Sequence, residues 1–220
     1  MNELLIADDH PLFREALRGL ITKLYPDAMI HEADNISSLY RLVERHADAD
    51  VLLLDLNMPG AAGYSALVYL RTQYPQLPIV IISAHEDPAL MRRAVDHGAM
   101  GFIPKSVDSE TLSIALEKIF MGEVWLPKHA QQTPAISADE AAAAKLLSEL
   151  TPQQFRVLQM VSTGQLNKQI AYELGVSEAT IKTHMTAILR KLGVSNRTQA
   201  VLLAYQLGLQ EGDSSAEFKE

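Results

Sequence analysis

The sequence predicts a doubly wound α/β domain on a five-stranded parallel sheet, followed by a second, smaller all-α domain. Three observations predict it. Apolar runs and amphipathic helical patterns alternate five times in about 120 residues, which implies a parallel sheet with helices on both faces and right-handed crossovers. The runs Val51-Leu52-Leu53-Leu54 and Leu77-Pro78-Ile79-Val80-Ile81-Ile82 are continuous rather than alternating, as strands covered on both faces must be. From Thr151 onward only helical patterns recur, punctuated by capping residues and glycines.

The elements follow in order. Leu4 to Ala7 is a short strand ending in Asp8-Asp9, and the helix after it places Pro11 in its first turn, where the missing N–H costs little. Met29 to Ala33 is a weaker strand and Ile36 to His46 an amphipathic helix. The strand at 51 to 54 ends in Asp55, and Met58-Pro59-Gly60 turns the chain away before a helix from about Ala62 to Gln73. The strand at 77 to 82 ends in Ser83, a helix runs from about Pro88 to His97, and a last short strand leads to Pro104-Lys105. Asp108 caps the helix that closes the domain near Phe120.

The polar stretch around His129 to Pro134 reads as a linker of variable reach, and Ala138 to Leu150 as a linker helix. Thr151-Pro152-Gln153-Gln154 is a capping box with proline at the first helical position. Asn167, Ser177 and Ser195 are placed to cap the helices after it, and Gly164 and Gly175 to stop them. The domains are therefore expected at 1–122 and 148–210, with a partly helical linker at 123–147 and a disordered tail at 211–220.

Composition bounds the function. Hydrophobic residues make up 48% of the 220, and there is no cysteine, which excludes disulfides and thiolate metal sites and fits a reducing, cytoplasmic setting. No signal peptide or membrane-length apolar run is present. The net charge of −8 argues against a wholesale nucleic-acid coat but averages over domains and hides local faces.

Ligands of open α/β sheets bind beyond the carboxyl ends of the strands. Asp8, Asp9, Asp55, Ser83 and Lys105 all stand there. Singly, each has an ordinary reading as a helix cap, turn former or surface lysine. Together they are three carboxylates, a hydroxyl and an ammonium on one edge, a hard oxygen set suited to Mg²⁺. Asp55 would then be a nucleophile toward an activated phosphoryl group, with Ser83 and Lys105 on the phosphoryl oxygens. His85 is either an exposed loop histidine or a group that tunes the phosphate's lifetime.

These residues resemble the flavodoxin-like receiver domain of two-component response regulators: Asp8-Asp9, Asp55 before Met-Pro-Gly, Ser83-Ala84, and Gly98-Ala99 leading to Lys105. The resemblance implies that Asp55 accepts phosphate from a sensor histidine kinase. It implies that Asp8, Asp9, Asp55 and the backbone carbonyl of Asn57 hold Mg²⁺, and that Ser83 and Phe102 form a switch pair whose ring turns inward behind the hydroxyl. One departure is that Pro104 precedes Lys105 and Ser106 follows it, where the family usually places proline after the lysine.

In the second domain Ile181, Met185, Ile188, Leu189 and Leu192 share one helical face. Lys182, Thr183, Thr186 and Arg190 lie on another that is small, polar and basic, which suits a DNA major groove. The strings Asn167-Lys168-Gln169-Ile170-Ala171, Leu174-Gly175-Val176-Ser177, Thr180-Ile181-Lys182-Thr183-His184 and Lys191-Leu192-Gly193-Val194 resemble a LuxR-type helix-turn-helix. That implies a recognition helix at 177–192 with Lys182, Thr183 and Thr186 toward base edges. Lys168, Arg190, Lys191 and Arg197 are expected on phosphates.

The whole chain resembles a NarL/FixJ-type response regulator, which implies double-stranded DNA with paired half-sites and a homodimer on activation. The last helix, with Leu202, Leu203 and Leu207, is its expected contact, and RNA polymerase is a further candidate partner. Two other readings stand beside this one. A Mg²⁺-dependent phosphohydrolase with a protein-binding helical domain is opposed by Asp8-Asp9-His10, which lacks the Asp-x-Asp pair of such enzymes. A regulator with a relic receiver is opposed by the complete pocket.

Overall fold

A computed structural model describes residues 3–59 and 64–206. The Gly60 turn, the start of the third helix at Ala62, Leu207 and the 211–220 tail lie outside the described residues. Strands β1 (Glu3–Ala7), β2 (Met29–Ala33), β3 (Val51–Leu54), β4 (Ile79–Ser83) and β5 (Gly101–Pro104) form one sheet in the order β2-β1-β3-β4-β5. Every pairing is parallel. The order reverses once, between β1 and β3, which opens a crevice at the carboxyl ends of those strands.

Helices cover both faces because the central strands bury both. Leu5, Leu52, Leu54, Ile79 and Ile81 pack toward α2 (Ile36–Arg45), α3 (Ser65–Gln73) and α4 (Pro88–Asp96). Leu4, Ile6, Val51, Leu53, Val80 and Ile82 pack toward α1 (Pro11–Leu24) and α5 (Ser109–Phe120). The weaker strand, β2, is one edge, and its Met29 is 59% exposed. Asp108 caps α5 as expected, its carboxylate accepting from Thr111 N at 2.7 Å, which holds its pKa below the ordinary value.

The stretch after α5 is less of a linker than its composition suggests. Trp125 lies beside β5, with Phe102 N donating to Trp125 O at 3.0 Å and Trp125 N to Met100 O at 3.1 Å. A Cβ on Gly101 would stand 2.9 Å from Trp125 O, so this close approach requires glycine. Helix α6 (Ala138–Ser148) is also docked. It buries Ala143 and Leu147, and its Glu140 meets Arg93 Nε at 2.7 Å and His97 Nε2 at 2.9 Å at the end of α4. Ile136 N donates to Asp96 Oδ2 at 3.0 Å. The expected variable reach is replaced by a strap pinned to α4.

His97 makes this strap pH-dependent. Burial pushes its imidazole pKa below 6.5, a shift the Glu140 hydrogen bond and charge partly offset. Because the folded value is the lower one, the stability it contributes is complete above 6.5 and is lost as pH falls through the folded value. Melting temperature is therefore expected to drop on acidification below the ordinary imidazole range, and to drop less in His97→Gln, as scanning calorimetry across that range would record.

The helical domain comprises α7 (Pro152–Ser162), α8 (Asn167–Leu174), α9 (Glu178–Leu192) and α10 (Arg197–Gln206) around Phe155, Leu158, Ile170, Ile181, Ile188 and Ala200. The capping box of α7 forms in both directions, Gln154 N to Thr151 Oγ1 at 3.3 Å and Thr151 N to Gln154 Oε1 at 3.0 Å. Thr151→Ala is expected to cost about 1 kcal/mol, read from urea unfolding. Gly175 ends α8 at φ 66°, a left-handed turn that favours glycine.

Two expected caps move by one residue. Asn167 is the first residue of α8, because its carboxamide accepts from Arg197 Nη1 at 3.2 Å. At α10, Asn196 rather than Ser195 accepts the helix N–H, from Gln199 at 2.9 Å. The two domains meet where Phe155 stacks on Tyr69, with ring centres 5.0 Å apart, and where Gln159 Nε2 donates to Ser65 Oγ at 3.3 Å. No helix of the described residues is long and apolar enough to cross a membrane.

Candidate functional site

The parallel register brings the strand ends together as the sequence suggested. Ala7 pairs with Leu54 and Ser83 with Pro104, so Asp8, Asp55 and Lys105 each leave the sheet at its carboxyl edge. Asp8 and Asp55 are each 2% exposed and Ser83 is fully buried. Lys105 Nζ bridges the two carboxylates, 2.7 Å from Asp8 Oδ2 and 2.8 Å from Asp55 Oδ2, and lies 4.6 Å from the centre of the Phe13 ring. Burial pulls the Lys105 pKa down, but hydrogen bonds and charges from Asp55 and Asp8 outweigh it and leave it above 10.5. The stability this contributes is complete below 10.5 and lost only as pH rises through the higher folded value. Neutral pH therefore leaves the bridge intact.

Each carboxylate is also oriented by backbone. Asp55 Oδ1 accepts from Asn57 N at 3.1 Å, and Asp8 Oδ1 from His10 N at 2.8 Å. Oxygens of Asp8, Asp9 and Asp55 and a nitrogen of His10 all lie within 4.8 Å of one another. His10 Nδ1 is 2.7 Å from Asp9 Oδ1, and that buried oxygen accepts no hydrogen bond among the described residues. An orphaned carboxylate oxygen beside two more carboxylates fits a hard divalent cation.

His10 and Arg14, whose Nη1 donates to Asp8 O at 2.6 Å, were not singled out from the sequence. The signal for His10 was its place directly after the acidic pair; Arg14 had none. His85 is exposed, with Nε2 3.2 Å from Asn57 Nδ2, and His85 N donates to Ser83 Oγ at 3.3 Å. Phe102 is fully buried in the core.

The second candidate surface is α9. Ser177 caps it through Thr180 N at 3.1 Å, and Ile181, Met185, Ile188 and Leu192 are buried against the domain core. Lys182, Thr183, Thr186 and Arg190 are exposed and uncovered by the first domain. Lys182 pairs with Glu178 at 3.1 Å, and the hydroxyls of Thr183 and Thr186 donate back to Ala179 O and Lys182 O. Lys168 is exposed on α8. Lys191 Nζ donates to Glu149 O at 2.8 Å, which ties α9 to the end of α6.

Arg197 departs from the expectation of a phosphate contact. Its guanidinium reaches inward to Val161 O at 3.4 Å, to Gln165 O, and to Asn167 Oδ1. It closes the α7 carboxyl end against α8, and these contacts occupy its donors.

Comparison with known proteins places both parts of the chain in described families. Residues 4–117 match the response regulator receiver domain and residues 148–204 the bacterial regulatory proteins of the luxR family. The chain is 44% identical to the glycerol metabolism activator of Pseudomonas putida, covering 93% of this chain and 95% of that one. It is 32% identical to the nitrate/nitrite response regulator protein NarL of Escherichia coli K12, covering 92% and 94%. Among solved structures, RcsB from Salmonella enterica serovar Typhimurium bound to promoter P1flhDC with phosphomimetic BeF3- shares the fold at TM-score 0.55 and 24% identity, covering 94% of this chain and 98% of that one.

Proposed function

The chain belongs to the response regulators that join a receiver domain to a LuxR-type DNA-binding domain, and on that premise we propose that phosphorylation of Asp55 controls its binding to DNA. The observation that carries this reading is the buried Asp55–Lys105–Asp8 bridge at the sheet's switch point. A sensor histidine kinase supplies the phosphoryl group, and Asp55 Oδ attacks it as the kinase histidine leaves. Asp8, Asp9, Asp55 and the Asn57 carbonyl are the residues that would hold Mg²⁺, which screens the charge of the phosphoryl oxygens when bound.

Lys105 then exchanges Asp55 for a phosphoryl oxygen, and Ser83 donates its hydroxyl to another. The added charge, about −1.5 to −2, acts only through contacts that differ between the two states. A shift from 1:99 to 99:1 needs about 5.5 kcal/mol of such difference, more than Ser83 and Lys105 supply. Homodimerisation on paired half-sites adds the rest, with Leu202 and Leu203 of α10 toward the partner. Water returns Asp55 to its free form by slow autodephosphorylation.

The proposed division of the chain is a receiver at 1–122, a strap at 123–147 and a DNA-binding domain at 148–210. Lys182, Thr183 and Thr186 face the bases; Lys168, Arg190 and Lys191 face phosphates, with RNA polymerase recruited beside them. Genome-wide DNA occupancy of the wild type against Asp55→Ala tests the reading. Peaks that depend on Asp55 are expected, and an identical set in both strains would overturn the phosphorylation control.

A further inference from the structure

At the edge of the sheet remote from Asp55, three side chains from three elements converge. Glu3 opens β1, His31 lies in β2, and His46 follows the last turn of α2. The register pairs Leu5 with His31 and Glu3 with Met29, so Glu3 and His31 project from the same sheet face as Leu5, the face that α2 covers. Both imidazoles point a nitrogen at one carboxylate oxygen: His31 Nε2 is 3.0 Å and His46 Nδ1 2.7 Å from Glu3 Oε1. The two rings stack, with centres 4.0 Å apart and planes 26° from parallel. All three side chains are half-buried, between 23% and 31% exposed.

We propose that Glu3, His31 and His46 form a binding site for a late first-row divalent cation, Zn²⁺ above all. Two imidazoles and a carboxylate are a borderline-soft set that suits zinc, nickel or copper rather than magnesium. Three protein ligands leave a fourth position to water. In a tetrahedral site with bonds of about 2.0–2.1 Å the ligand atoms stand about 3.3 Å apart. The nitrogen-to-oxygen separations here, 2.7 and 3.0 Å, need open by only a few tenths of an ångström.

The site ties the exposed edge strand β2 and the end of α2 to β1. Glu3 lies about 17 Å along the strand from Asp8, at about 3.3 Å per residue, so the site does not enter the phosphoryl pocket.

Titration of the full-length protein with Zn²⁺ in excess Mg²⁺, followed by the imidazole ¹⁵N resonances, tests the site. Saturable one-to-one binding is expected to move His31 Nε2 and His46 Nδ1 and to leave His129 and His184 in place. His31→Gln/His46→Gln is expected to bind at least about tenfold more weakly and to lose the zinc-dependent rise in melting temperature. Its circular dichroism without zinc reports whether it folds; if it does not, the wild-type resonances decide. Binding undiminished in a folded variant, shifts confined to His10, or no saturable binding would each overturn the site.

Discussion

Lys105→Ala is expected to destabilise the metal-free receiver by about 3–5 kcal/mol at neutral pH, the scale for removing one partner of a buried charge network. Lys105 is the ammonium that bridges two carboxylates, each 2% exposed. Without it Asp8 and Asp55 face one another with no cation between them. Two such charges about 4 Å apart repel by about 4 kcal/mol at an effective dielectric of about 20. The loss should be largely recovered in either of two ways that restore the balance of charge: excess Mg²⁺, or the second substitution Asp8→Asn. Urea unfolding of the variants with Mg²⁺ and with chelator measures all three. A loss below about 1 kcal/mol in chelator would mean that the carboxylates relax to solvent and that the bridge contributes little to the fold.

That dependence explains which parts of the pocket the sequence could reveal. Asp8-Asp9, Asp55, Ser83 and Lys105 were legible because each closes an apolar run, and strand ends of a parallel sheet fall on one edge whatever the strand order. The buried face of α9 was legible for a similar reason, since Ile181, Met185, Ile188 and Leu192 repeat at helical period within one element. Contacts between elements distant in the chain carry no such pattern. Glu140 reads as the surface of an alanine-rich helix until it meets Arg93 and His97. Arg197 reads as a free cation until the carbonyls of Val161 and Gln165 turn it inward, and with it Asn167 leaves the capping position. Glu3, His31 and His46 carry no joint signal in the sequence because 43 residues separate the first from the last.

Lys182→Ala is expected to remove sequence selectivity while leaving phosphorylation of the receiver intact. A good contact to a base edge is worth about 1–3 kcal/mol of discrimination, and a dimer on two half-sites loses it twice. Lys182 is placed to make that contact: its side chain is 66% exposed and its partner among the described residues is the surface pair with Glu178. Such an i,i+4 pair is worth about 0.3–0.5 kcal/mol, so DNA displaces it readily. The neighbouring hydroxyls of Thr183 and Thr186 donate to the helix backbone and offer their oxygens outward as acceptors. Lys168→Ala and Arg190→Ala should behave differently, weakening all sequences alike and reducing the salt slope by about one. Footprinting of the three variants at several salt concentrations separates the two roles. Retained selectivity in Lys182→Ala would refute the base contact and shift recognition to Thr183 and Thr186, or to the shape of the groove.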